Sequence, residues 1–112
     1  MKPEPVRSAV GLAIVEDEKN VREGLKYLLG LDGRIRMVAS FGKAEELFAF
    51  LEDGHRVDIV LMDIHLPGMD GIEATRRLQA TRPELIVLIL TIFEEEETIL
   101  DAIKAGAKGY IL

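Results

Sequence analysis

Val57-Asp58-Ile59-Val60-Leu61-Met62-Asp63, running into Ile64-His65-Leu66-Pro67-Gly68-Met69-Asp70-Gly71, is the stretch on which the fold turns. Val57 to Met62 is short, aliphatic and rich in β-branched residues, as a buried strand requires. Asp63 lies at its C-terminal end. Pro67, Gly68 and Gly71 then punctuate a loop, and a helix over Ile72 to about Ala80 follows. A buried strand, a loop and a helix in this order make one βα unit.

The same alternation extends in both directions. Ala9 to Val15 reads as a first buried strand. After it, Val21, Leu25, Leu28 and Leu29 share one helical face, with a stop near Gly30. Ile35 to Ser40 forms a second, short strand, and Ala44, Leu47, Phe48 and Leu51 mark a helix ending by Gly54. Downstream, Leu85 to Leu90 is apolar on both faces, as in the middle of a parallel sheet. Ile99, Ala102 and Ile103 mark a fourth helix capped by Gly106, and Lys108 to Leu112 opens a fifth strand. Right-handed crossovers turn this (βα)₄β order into an α/β fold, a doubly wound, open, parallel five-stranded sheet with helices on both faces. Residues 1–8, with two prolines, read as a frayed leader, and residues 9–112 as one domain.

Composition narrows the function. The 112 residues are 48% hydrophobic but only 5% aromatic, so the core is aliphatic. With 30% charged residues and a net charge of −6, these residues repel a phosphate backbone, which excludes nucleic-acid binding by this segment itself. No apolar run approaches membrane-spanning length, and the N-terminus has no secretory h-region. Cysteine is absent, which removes thiol chemistry and fits a cytoplasmic location.

Open α/β sheets place their ligands beyond the carboxyl ends of the strands. There this sequence carries Glu16, Asp17 and Glu18 after the first strand, Asp63 after the third and Thr91 after the fourth. Crowded carboxylates repel, and burial without a partner is costly. A hard divalent cation such as Mg²⁺ resolves both problems. Glu16 to Glu18 could alternatively cap the first helix, where acids favour the dipole. Capping cannot explain Asp63, at the end of a different strand.

Ile14-Val15-Glu16-Asp17-Glu18, the Leu61 to Glu73 segment with its D-x-x-L-P-G-M-D-G core, Leu90-Thr91, and Gly106-Ala107-Lys108-Gly109-Tyr110 together resemble CheY-like response regulator receiver domains over residues 9 to 112. The resemblance implies strand order 2-1-3-4-5 and a role in two-component signalling. Asp63 would accept a phosphoryl group from a sensor histidine kinase in a Mg²⁺-dependent reaction. Asp17 and Asp63 would ligate the metal directly, Glu16 through water, and His65 through its backbone carbonyl. Receivers more often carry Asp where Glu16 stands, so the charge is kept but the reach changes. Thr91 would bond a phosphoryl oxygen, and Tyr110 would be the aromatic that swings inward in response. Such a chain modifies only itself and is not an enzyme toward other substrates.

The wording of Gly68 to Leu78, Thr91-Ile92-Phe93-Glu94 and Gly106 to Leu112 is similar to receivers joined to a LuxR/NarL-type helix-turn-helix. DNA would then be contacted only through an output domain outside this chain. Receivers also carry a Lys just after the fifth strand and a fifth helix. Lys108 precedes the Gly-Tyr pair and is not that Lys, so the pattern predicts a domain cut before its last helix. The uncovered strand face would favour a homodimer. His65 and Phe93, each two residues beyond a site residue, suggest slow hydrolysis of the phosphorylated state. His65 itself reads as surface-exposed, and Glu94 to Glu97 as dipole-favouring acids. Two rival functions remain: a pseudo-receiver that signals by contact alone, and a phosphatase-type enzyme, which the presence of His65 in place of a second Asp disfavours.

Overall fold

A computed structural model describes residues 9–90 and 95–111. The elements are β1 (Val10–Val15), α1 (Lys19–Gly30), β2 (Ile35–Phe41), α2 (Ala44–Glu52), β3 (Ile59–Asp63), α3 (Gly71–Thr81), β4 (Ile86–Leu90), α4 (Glu96–Ala105) and β5 (Gly109–Ile111). All strand pairings are parallel, in the order β2-β1-β3-β4-β5 expected above. The chain reverses its direction of travel across the sheet between β1 and β3, and that is where an open sheet leaves a crevice.

The two faces of the sheet are covered unequally. On one, α2, α3 and α4 press Leu47, Leu51, Ala74, Leu78 and Ala102 onto Val15, Val60, Met62, Val87 and Ile89, all buried. On the other, among the described residues, α1 alone brings Leu25 and Leu29 against Leu12, Ile14 and Leu61. A groove of about 420 Å³ remains beside it, lined by Leu12, Leu29, Ile59, Leu61, Leu88 and Ile111 among others. One expectation fails for this reason. Leu28, placed on the buried stripe of α1 by its spacing, is 64% exposed because no described element flanks that side of the helix. β4 lies inside the parallel sheet as expected, between β3 and β5, though Ile86 at its start is 39% exposed on this face. Ile103 of α4, at 40%, also departs from the expected buried stripe.

The helix ends follow local chemistry. Glu18 is the N-cap of α1, accepting from the Asn20 amide at 3.1 Å, so capping explains one acid of the first cluster. Asp70 caps α3 through the Glu73 amide at 2.8 Å. Gly106 closes α4 at φ 122°, a region that favours glycine. Glu96 and Glu97 lie in the first turn of α4, as the dipole favours. Arg76 and Arg77 are exposed but both pair with Glu73.

Candidate functional site

β1 and β3 are adjacent and in register, Ile14 beside Leu61 and Val15 beside Met62, so the next residue of each chain segment emerges at the same rim. Those residues are Glu16 and Asp63. Glu16, Asp17 and Asp63 each offer a carboxylate oxygen, and the three atoms lie within 4.8 Å of one another. Sequence positions 47 apart are thus brought together by parallel pairing alone. Asp17 is exposed, Asp63 half-buried and Glu16 buried at 5% exposure.

Glu16 is fixed on every side. Its amide donates to the Phe41 carbonyl at 2.9 Å, tying the end of β1 to that of β2. Its carboxylate accepts from the Glu18 amide at 2.9 Å, and its carbonyl accepts from the Arg22 guanidinium at 2.7 Å. Burial pushes its carboxyl from the ordinary 4.5 up to about 7, partly offset by the Glu18 amide and reinforced by the charge of Asp63. Asp63 is also raised, again first by burial. Amides of His65 and Ile64 pull it back, and the charge of Asp17 pushes it further up. An oxygen-only donor set, two of whose carboxyls are raised by burial and which is open on the Asp17 side, fits a Mg²⁺ ion that keeps some of its waters.

Glu16 has a consequence for stability. Between about pH 4.5 and 7 its native form holds a proton that the unfolded chain has released, so native stability falls as pH rises through this window and levels off above it. In EDTA, the urea midpoint should therefore drop between pH 5 and 7.5 by the equivalent of about 2 kcal/mol. Glu16→Gln should flatten that profile. An unchanged slope in the variant would assign the effect to other groups.

The loop after β3 is held from two directions. The Gly71 amide donates to the Ile64 carbonyl at 2.8 Å, closing the loop onto the start of α3. Glu45 of α2 accepts from the Met69 amide at 3.2 Å; its own backbone amide first, and then that of Met69, lowers its carboxyl below the ordinary value. His65 sits between these ties with an exposed side chain. Tyr110 is on β5, paired with Ile89 and 49% exposed. Thr91 and Phe93, like residues 1–8, lie outside the described residues. Neither Arg22 nor Glu45 stands out as a site residue in the sequence. Arg22 carries a faint signal there, lying four residues beyond the Glu18 cap and therefore one turn up the same helix face.

The description "Response regulator receiver domain" matches residues 12–112. Curated relatives include the DNA-binding transcriptional activator DevR/DosR of Mycobacterium tuberculosis, 40% identical over 103 residues, 92% of this chain and 47% of that protein. The transcriptional regulatory protein DegU of Brevibacillus brevis is 35% identical over 103 residues, 92% of this chain and 43% of that one. The chain therefore spans less than half the length of either relative. Among solved structures, a LuxR-family two-component response regulator from Aurantimonas sp. SI85-9A1 superposes with a TM-score of 0.85 at 35% identity, covering 92% of this chain and 73% of that one. With the sheet order, the shared rim and these matches in agreement, the chain belongs to the response regulator receiver domain family.

Proposed function

We propose that the chain is the phosphoacceptor domain of a transcriptional regulator in a two-component system, with Asp63 as the residue modified. The observation that carries this reading is the meeting of the Glu16, Asp17 and Asp63 carboxylates within 4.8 Å at the end of two buried strands. A sensor histidine kinase is the donor. An Asp63 oxygen attacks the phosphorus of its phosphohistidine, the P–N bond breaks, and the electron pair leaves with the imidazole, which takes up a proton. The product is an acyl phosphate on Asp63 with roughly two negative charges and three strong acceptors.

The residues divide this work. Asp17 and Asp63 would hold Mg²⁺ directly, Glu16 through water, and His65 through its backbone carbonyl. The ion, when bound, supplies charge neutralisation for the phosphoryl oxygens. The His65 and Ile64 amides orient the Asp63 carboxylate. Buried Glu16 fixes the backbone at the end of β1, and with it the position of Asp17. Thr91 bonds a phosphoryl oxygen after transfer, and Tyr110, now half out in solvent, turns inward to fill the space vacated. The change is read by an output domain that contacts DNA, in the cytoplasm and in a homodimer. Among the described residues no helix is long and apolar enough to cross a membrane.

The test is incubation with acetyl phosphate at pH 7.5, followed by intact-mass measurement. With Mg²⁺ the chain should gain one phosphoryl group, labile to alkaline hydroxylamine as an acyl phosphate is. Chelation of the metal with EDTA should reduce the modified fraction by about 100-fold or more. Equal labelling with and without the metal would overturn the metal assignment. No labelling under any condition would favour signalling by contact alone.

A further inference from the structure

Arg22 points back from the second turn of α1 to the end of β1. Its amide donates to the Glu18 carbonyl at 2.9 Å, as the helix requires, while its Nη1 donates at 2.7 Å to the carbonyl of Glu16. That carbonyl belongs to the peptide joining Glu16 to Asp17, two of the three acids of the first cluster. The guanidinium also reaches the β2–α2 turn: a side chain built at Gly42 would meet Arg22 Nη1 at 3.5 Å and Glu46 Oε1 at 4.0 Å. Arg22 is half-buried, so this hydrogen bond is partly shielded from competing water.

We infer that Arg22 is a positioning residue for the metal site: it fixes the Glu16–Asp17 peptide so that the Asp17 carboxylate is held toward Asp63. The inference rests on the metal-binding reading of Glu16, Asp17 and Asp63 and extends it to a cation that touches none of their carboxylates. Charge and geometry oppose one another here, which makes the sign of the effect decisive. A guanidinium near a divalent-ion site repels the ion, so by Coulomb's law alone its removal should tighten metal binding. If its hydrogen bond instead orders the ligands, removal should weaken binding, as loss of an outer partner of a metal ligand does by about 10- to 100-fold. The hydrogen bond to the Glu16 carbonyl favours the second outcome.

The experiment measures Mg²⁺ binding by calorimetry and Mn²⁺ binding by electron paramagnetic resonance, with no phosphoryl donor present. Arg22→Met keeps the aliphatic stem on α1 and removes every donor; Arg22→Lys keeps a cationic donor group. Metal affinity should fall about tenfold in Arg22→Met and stay within about threefold of wild type in Arg22→Lys. Urea unfolding in EDTA checks that both variants fold; should Arg22→Met fail, Arg22→Leu, which also lacks any donor, replaces it in the same comparison. Unchanged or tighter binding in Arg22→Met, or equal loss in both variants, overturns the inference while leaving the metal site in place. Absence of metal binding by the wild-type chain removes the site reading itself, and this inference with it.

Discussion

Asp63→Asn is expected to abolish phosphorylation and, in the absence of metal, to make the protein more stable. The two effects have one cause. Burial and the neighbouring Asp17 charge raise the Asp63 carboxyl, so keeping it ionised at neutral pH costs the folded state free energy. Asparagine has nearly the same shape, still accepts hydrogen bonds at one oxygen from the loop amides, and carries no charge to desolvate. Its amide is too weak a nucleophile to displace the imidazole of a phosphohistidine. Stability in EDTA at pH 7.5 should rise by on the order of 1 kcal/mol, the usual direction when a strained functional group is neutralised. With Mg²⁺ present the gain should vanish, because the wild-type carboxylates then have a counter-ion and the variant has lost a ligand. Urea midpoints with and without Mg²⁺, beside intact masses after acetyl phosphate treatment, give both answers. A variant less stable than wild type in EDTA would show that the crowded carboxylates are not strained. Labelling that survives the substitution would place the acceptor elsewhere.

How far the sequence carries this structure depends on which contacts a feature needs. The five strands and four helices are visible because their aliphatic runs and helical stripes are local patterns, and parallel order follows from connections too long for hairpins. The convergence of Glu16 and Asp63 is visible too, since both end a strand and neighbouring parallel strands end at one rim. Leu28 is where local pattern misleads. Its spacing is that of a core residue, but burial depends on a neighbour that the helix itself cannot specify. Arg22 and Glu45 are hard to see for the opposite reason, apart from the spacing that sets Arg22 one turn beyond the Glu18 cap. Each is an ordinary charged residue on a helix, and each acts on a backbone atom of another segment, the Glu16 carbonyl and the Met69 amide. A hydrogen bond to a main-chain group leaves no trace in the identity of the residue that receives it. Gly71 stands between these cases. Its residue type announces a constraint, and only the fold shows what the constraint is.

Gly71→Ala should be among the most damaging single-methyl additions in the chain. Gly71 is the first residue of α3, and there the helix abuts the end of β3 with no side chain between them. A Cβ built on it would collide with the carbonyl oxygen of Asp63 and lie 2.8 Å from the Asp63 carbonyl carbon and 2.9 Å from the Ile64 Cα. These are backbone atoms, so no rotamer change can clear the space. Either α3 withdraws, breaking the 2.8 Å bond from the Gly71 amide to the Ile64 carbonyl, or the end of β3 shifts and carries Asp63 with it. Thr75, fully buried on α3, would have to leave the core in the first movement, which opposes it. A loss of about 3 kcal/mol is expected, at the upper end of overpacking costs because the obstruction is rigid. Phosphorylation by acetyl phosphate should fall by more than stability alone explains, because the displaced element carries the nucleophile. Gly24→Ala supplies the control: it lies within α1, a Cβ there meets nothing within 4 Å, and alanine favours the helix, so stability should rise by about 0.5–1 kcal/mol with labelling unchanged. If Gly71→Ala instead unfolds within 1 kcal/mol of wild type and labels normally, the close approach of α3 to Asp63 is not what holds the nucleophile in place.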